Sequence, residues 1–191
     1  MCRILLALAT VVAAVAGFAT APPAVAGDAP IGRLGDTLRI EYTDSPAGGQ
    51  IIADVTVHDV LPAPDIPPGW GCTGTEPGAG QGHSLGFPCR GWPWRATITV
   101  HTIKAPNPYA MAVLFTFDGV TPYADAYKSR HSDAPDALES ALLRAAPGST
   151  VDGAIYWDVY RGLVTNIVMY SKKTGEHVAQ WNIWEPGTPL P

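Results

Sequence analysis

The sequence is poor in charge and has no run of basic residues. Charged side chains make up 15% of its 191 residues, and 17 acidic residues against 12 basic ones give a formal net charge of −5. Proteins that bind nucleic acids or anionic membrane surfaces usually present clustered lysines and arginines. The sequence therefore predicts neither a nucleic-acid partner nor an anionic membrane surface as a partner.

Long apolar runs are also lacking, except at the amino terminus. After Met1-Cys2-Arg3, an uncharged apolar run covers Ile4 to Thr20 and ends before Pro22-Pro23. Ala24-Val25-Ala26 then supplies the small residues that a signal peptidase recognises. These features predict a secretory signal peptide over residues 1–26, cleaved after Ala26, rather than a membrane anchor. We expect a secreted, extracellular protein with no stable membrane insertion.

Cysteine is scarce, and only Cys72 and Cys89 remain after the predicted cleavage. In an oxidising compartment such a pair predicts a disulfide, with two free buried thiols as the alternative. The bridge would close a loop of about 18 residues and stabilise the fold by roughly 3 kcal/mol. A zinc module would need more ligands, since only His83 lies between the two cysteines. We expect no metal and no cofactor.

Helical periodicity is nearly absent from residues 27–191, which we expect to form a single domain. Alternating apolar and polar residues predict seven strands, and the 20 glycines and 19 prolines suit the turns between them. The strands contain residues 37–43, 53–58, 95–101, 111–117, 155–159, 163–170 and 177–184, with 123–127 as a possible eighth. One short helix is predicted where Asp136 and Glu139 resemble a capping box, and Pro147-Gly148 ends it. The pattern favours an all-β fold of two antiparallel sheets packed face to face.

The longest irregular stretch runs from Pro62 to Gly91 and contains both cysteines. Within it, residues 82–86 read Gly-His-Ser-Leu-Gly, which matches the G-x-S-x-G motif of serine hydrolases. That motif requires a strand before the serine and a helix after it, and neither flank is predicted here. A hydrolase that uses Ser84 is therefore kept as an alternative only, and we expect no catalytic residues.

Aromatic residues flank the cysteine pair. Trp70, Phe87 and Trp92 could form an exposed interaction surface, because aromatic side chains often supply most of the binding energy at protein interfaces. A small satellite core beneath the long loop is the alternative. By contrast, Trp94 and Trp157 fall on the predicted inward faces of their strands.

The polar faces of the strands carry the remaining candidate chemistry. His58 and His101 lie on such faces without further metal ligands at strand spacing, which predicts surface histidines. Asp54 and Asp158 are predicted to point outward on open sheet faces, so they do not form the paired carboxylates of a glycosidase.

Four strings in order resemble one known family. They are Ile31-Gly32-x-Leu34-Gly35-x-x-Leu38, residues 94–100 (WRATITV), residues 153–159 (GAIYWDV) and residues 183–186 (IWEP). Together they resemble the mycobacterial secreted immunogenic antigen family over nearly the whole mature chain. The resemblance implies an immunoglobulin-like antiparallel β-sandwich of about seven to eight strands, secreted and without established catalytic activity. The loop from Pro62 to Gly91 looks longer than the matching family segment.

The sequence thus predicts a secreted, antigen-like binding module for an unknown protein partner, with a host component among the candidates. Carriage of a small apolar ligand between the sheets is a further alternative.

Overall fold

The computed structural model describes residues 28–44, 48–70, 90–146 and 148–184. These ranges contain nine strands and two short helices. The strands are β1 (Ile31–Arg33), β2 (Thr37–Thr43), β3 (Gln50–Pro62), β4 (Trp92–Lys104), β5 (Phe115–Val120), β6 (Ala126–Tyr127), β7 (Thr150–Val159), β8 (Asn166–Ser171) and β9 (His177–Asn182). The helices are α1 (Ala110–Leu114) and α2 (Leu138–Leu143). Neither helix is long and apolar enough to cross a membrane.

The strands form two sheets that pack face to face. One sheet has the order β1-β9-β8-β5-β6, and the other has the order β2-β3-β4-β7. Only β1 and β9 pair in parallel among these neighbours. The predicted all-β, immunoglobulin-like sandwich is therefore confirmed. The predicted count of seven to eight strands is too low, because β1 is too short for alternation to reveal it.

Alternating side chains fill the space between the sheets. Ile40, Val55 and Ile98 contribute fully buried side chains from three neighbouring strands, and Trp157 and Trp181 are the largest fully buried ones. The inward position predicted for Trp157 is confirmed.

Trp94 packs against the same core but is only half-buried. It lies near the start of β4, at the end of the sandwich, where fewer neighbours surround it.

Hydrogen bonds from large side chains join the two sheets across this core. The indole N–H of Trp157 donates to the carbonyl oxygen of Phe117 at 3.0 Å, and the hydroxyls of Tyr42 and Ser171 lie 2.9 Å apart. A buried polar group without a partner costs free energy, so these bonds allow large polar-tipped side chains to fill the core.

Two local predictions are wrong. Met111 and Val113 belong to α1 rather than to a strand, and β5 begins only at Phe115. Three consecutive residues, 110–112, are buried there, whereas a strand with one buried face buries every second residue. The capping box at Asp136 is not formed. Its carboxylate accepts a hydrogen bond from the Tyr156 hydroxyl at 2.8 Å, and α2 starts after Ala137 without a side-chain cap.

A second cluster of buried residues lies on the outer face of the four-stranded sheet. We call it the outer cluster; its members are Ala63, Trp70, Ala134, Ala154 and Tyr156. The chain covers this face because Arg130 and Ala137 form single bridges to Tyr156 and Ala154 of β7.

We expect Tyr156, a member of the outer cluster, to titrate at a higher pH than an ordinary tyrosine. Burial, and then the hydrogen bond to Asp136, raise the pKa of Tyr156 from 10.0 to about 12. Because the folded protein keeps Tyr156 neutral to a higher pH than the unfolded chain does, the raised pKa stabilises the fold. This stabilisation is complete below pH 10, the pKa in the unfolded chain, and should be lost as the pH rises from 10 to about 12. Ultraviolet titration of the wild type and of Tyr156→Phe, compared as a difference, isolates this one tyrosine. A difference titration centred on the ordinary tyrosine pKa would contradict the expectation.

Candidate functional site

An open groove of about 720 Å³ lies at one end of the four-stranded sheet. Antiparallel pairing brings the end of β3, the start of β4 and the end of β7 together there: Trp94 lies opposite Pro62, and Trp92 lies opposite Val159. The chain then continues from β7 along the groove. We call this surface the aromatic groove; its members are Pro62, Trp92, Trp94, Tyr160 and Leu163, with Arg90 and Arg161.

The aromatic groove exposes large apolar side chains to solvent. Trp92 is 62% exposed, and Tyr160 and Leu163 are about half exposed, at 45% and 51%. Scattered exposed apolar residues are common on protein surfaces, but several that line one concavity indicate a contact surface.

One wall of the groove is fixed by the carboxylate of Asp158. It accepts the backbone N–H of Arg90 at 3.2 Å and that of Gly91 at 2.7 Å, and Arg130 lies 3.5 Å away. These contacts hold the chain as it enters β4, directly before Trp92. Asp158 was predicted to point outward on an open face; it is instead largely buried, because the chain before β4 crosses over it.

The opposite wall is fixed by the hydroxyl of Tyr127. It accepts the backbone N–H groups of Arg161 and Gly162, both at 2.9 Å, and donates to the Gly162 carbonyl at 3.1 Å. The ring of Tyr127 also meets the ring of Tyr160 edge to face, with centroids 5.4 Å apart. The turn that carries Tyr160 is therefore held in place by the protein itself, a preorganisation that would lower the entropic cost of any binding there.

The chemistry of the groove is aromatic and cationic. The guanidinium of Arg161 lies 5.6 Å from the centre of the Tyr160 ring and 3.6 Å from Asp125. Arg90 adds a second cation to the same lining. Tryptophan, tyrosine and arginine are the residue types that carry most of the energy in protein interfaces.

The three residues of the predicted interaction surface do not lie together in the described structure. Trp92 lies exposed in the aromatic groove, as the hypothesis requires, and Phe87 lies outside the described residues. Trp70 requires a correction: it is buried in the outer cluster, and the guanidinium of Arg130 lies 4.4 Å from the centre of its ring. Trp70 thus belongs to a small satellite core, which was the alternative considered from the sequence.

Other candidate residues fall where the structure gives no description. Cys72 and Cys89 with their predicted disulfide, Ser84 of the hydrolase motif and the cleavage site at Ala26 all lie outside the described residues. These stay predictions.

Several of the described histidines and acids on the strand faces are hydrogen-bonded to hydroxyls or paired with a charged partner. Thr99 donates to Asp152 at 2.5 Å, so the ring of His58, 2.7 Å from the Thr99 oxygen, donates to Thr99. His101 lies 3.0 Å from the hydroxyl of Thr150, and Asp54 pairs with Arg39. Among residues 28–44, 48–70, 90–146 and 148–184, no three metal-ligating side chains come together.

Six members of the groove were not singled out from the sequence as site residues: Pro62, Arg90, Trp94, Tyr160, Arg161 and Leu163. Gly162, three residues after the predicted strand 155–159, is a turn signal that could have placed Tyr160 at a strand end. The strand order that sets this end beside Trp92 is not visible in the pattern.

The fold and the groove together define an immunoglobulin-like β-sandwich with an exposed aromatic surface at one end. No family model matches the chain, and no curated protein sequence matches it significantly. Among solved structures, it is similar to the crystal structure of MPT63, a secreted protein from Mycobacterium tuberculosis. The TM-score is 0.56 at 22% sequence identity, over 82% of this chain and 99% of that one. The resemblance expected from the four sequence strings is thus confirmed as a likeness of fold.

Proposed function

We propose that the protein is a secreted, antigen-like binding module that captures a protein partner in the aromatic groove. The observation that carries this proposal is the 62% exposure of Trp92 inside a concavity shared with Tyr160 and two arginines. An exposed tryptophan loses its contact with water when a partner covers it, which is the main source of binding energy at interface hot spots.

The partner that fits this groove has an apolar side chain surrounded by acidic residues. The apolar group would lie against Trp92 and Leu163, and carboxylates would face Arg90 and Arg161. Both charged residues of the lining are arginines, although Asp125 lies 3.6 Å from Arg161, and the chain as a whole has a net charge of −5. An acidic partner would therefore be oriented towards these two arginines.

Secretion is supported by the predicted signal peptide and by the likeness of fold to a secreted protein. The net charge of −5 and the lack of a run of basic residues in the sequence support a partner that is neither nucleic acid nor an anionic membrane surface.

We expect Trp92→Ala to weaken the partner's affinity by about 30-fold or more, the loss typical of a hot-spot tryptophan. The partner is first recovered from the extracellular medium on tagged wild-type protein, and its affinity for each variant is then measured by calorimetry or surface plasmon resonance. Tyr123→Ala is the matched control, because Tyr123 is 87% exposed and is not part of the groove.

Equal affinities of the Trp92→Ala and Tyr123→Ala proteins would overturn the assignment of the groove. Because Trp92 is mostly in solvent, its replacement should leave the thermal unfolding temperature nearly unchanged, which separates loss of binding from loss of fold.

A further inference from the structure

A second concavity lies between α1, α2 and the adjoining edges of the two sheets. Its volume is about 270 Å³, and it shares no lining residue with the aromatic groove. We call it the helix cavity. Its apolar wall consists of Met111, Phe115, Phe117, Leu138, Leu142 and Ile155. This space is large enough for a small organic molecule rather than a single water.

Two hydroxyls in the lining of the helix cavity are linked to a buried acid. Thr116 donates its hydroxyl hydrogen to the carboxylate of Asp118 at 3.2 Å, and the oxygens of Thr116 and Ser129 lie 2.9 Å apart. Asp118 is 5% exposed and also accepts the backbone N–H of Ser129.

This chain of hydrogen bonds has a fixed direction when Asp118 is ionised. A hydroxyl has one hydrogen, and that of Thr116 is used on Asp118, so Ser129 must donate its own hydrogen to Thr116. Ser129 then has only oxygen lone pairs left for the cavity. A ligand that meets Ser129 must therefore bring a hydrogen-bond donor.

The charged residues of the cavity lining restrict which donor it can be. Arg130, His131 and Lys172 are basic, and Glu139 is acidic. The hydrogen bond to Glu139, aided by one to Asp133, raises the pKa of His131 and favours its charged form. Within the lining itself three basic residues face one acidic residue, which opposes an ammonium group. Outside the lining, Asp158 pairs with Arg130 and Asp133 pairs with His131.

A carboxylate is also a poor match. It would bring another hydrogen-bond acceptor to Ser129, whose only hydrogen is already donated to Thr116 in the chain of hydrogen bonds from Ser129 through Thr116 to Asp118. Lys172 already donates to the Ala112 carbonyl at 2.9 Å and lies 3.6 Å from Glu139. An uncharged hydroxyl satisfies Ser129 without adding charge.

We propose that the helix cavity binds a small aliphatic alcohol, whose hydroxyl donates to the Ser129 oxygen and whose carbon chain lies on the apolar wall. This site is independent of the aromatic groove, so the two proposals can fail separately.

The test compares two isomers of equal size, 1-octanol and methyl heptyl ether, at about pH 8. Both have nine non-hydrogen atoms, but only the alcohol can donate a hydrogen bond. Each is titrated into the intact protein while NMR chemical shifts of Leu138, Leu142 and Ile155 are followed. We expect both to bind, with the alcohol favoured by about tenfold, the effect of one hydrogen bond.

Substitutions at Ser129 or Thr116 should remove the preference for the alcohol without blocking the cavity. Ser129→Ala deletes the acceptor, and Thr116→Val frees the Ser129 hydrogen, so both variants should bind the two isomers about equally. Ser132→Ala is the control, because Ser132 lines the same cavity while its hydroxyl donates to the Pro68 carbonyl and accepts from Ala134. It should keep the preference.

The proposal is overturned if neither isomer shifts the cavity residues up to its solubility limit, or if the wild type binds both equally. It is also overturned if Ser129→Ala still prefers the alcohol. Circular dichroism of each variant confirms that the fold is retained, and because the readout is a ratio of two affinities, a modest loss of stability does not change it.

Discussion

Replacing Trp157 by alanine is expected to lower the free energy of unfolding by about 3–5 kcal/mol, the range for deletion of a large buried aromatic side chain. Trp157 is fully buried between the sheets and is among the largest side chains there. The substitution leaves a cavity and also strands the Phe117 carbonyl, which accepts the indole N–H at 3.0 Å. Both losses act at the contact between β7 and β5, where the two sheets meet.

Urea unfolding followed by circular dichroism measures this effect. Trp157→Phe is the matched control, because it removes the hydrogen bond but keeps most of the apolar volume; we expect it to cost less than the alanine variant. A loss of less than about 1 kcal/mol for Trp157→Ala would mean that this residue does not anchor the sandwich.

Replacing Gly91 by alanine is expected to destabilise the protein by about 3 kcal/mol and to disturb the aromatic groove. A Cβ at this position would overlap the backbone carbonyl of Val159 and lie 2.7 Å from the Cα of Tyr160. Backbone atoms cannot turn aside as a flexible side chain does, so the start of β4 must move away from β7. That movement would break the bond from the Gly91 N–H to Asp158.

Gly162→Ala provides the comparison within the same groove. A Cβ there would find its nearest neighbour, the methyl group of Thr121, at 3.8 Å, which is ordinary van der Waals contact. We expect Gly162→Ala to unfold close to the wild-type denaturant midpoint and Gly91→Ala well below it. Similar midpoints for the two variants would contradict the close approach of β4 to β7.

The strands were predictable because each sheet has one buried face. Leu38, Ile40 and Tyr42 alternate with polar residues, and β2 covers the predicted residues. The same rule failed at Met111 and Val113, since a short amphipathic helix before a strand also places apolar residues two apart. β1 was missed because three residues are too few to show an alternating apolar and polar pattern.

The aromatic groove was predictable only in part. Trp92 could be selected as an aromatic residue beside a long loop, but Tyr160 meets it only through the pairing of β4 with β7. Trp70 has the same sequence context as Trp92 and yet is buried, because the chain around Arg130 folds over the outer face of β7. Alternation records which side of a strand faces the core, whereas strand order and loop paths depend on contacts between distant residues.

The account's central claim is that a partner binds at the aromatic groove, and site-specific photo-crosslinking tests it most directly. A photoreactive phenylalanine analogue is placed at position 92 in one tagged protein and at position 123 in another, and both are exposed to the native extracellular medium. We predict one crosslinked partner at position 92, displaced by excess wild-type protein but not by excess Trp92→Ala protein, and no such product at position 123. Crosslinks that are equal at both positions, or absent at position 92, would contradict the proposed function.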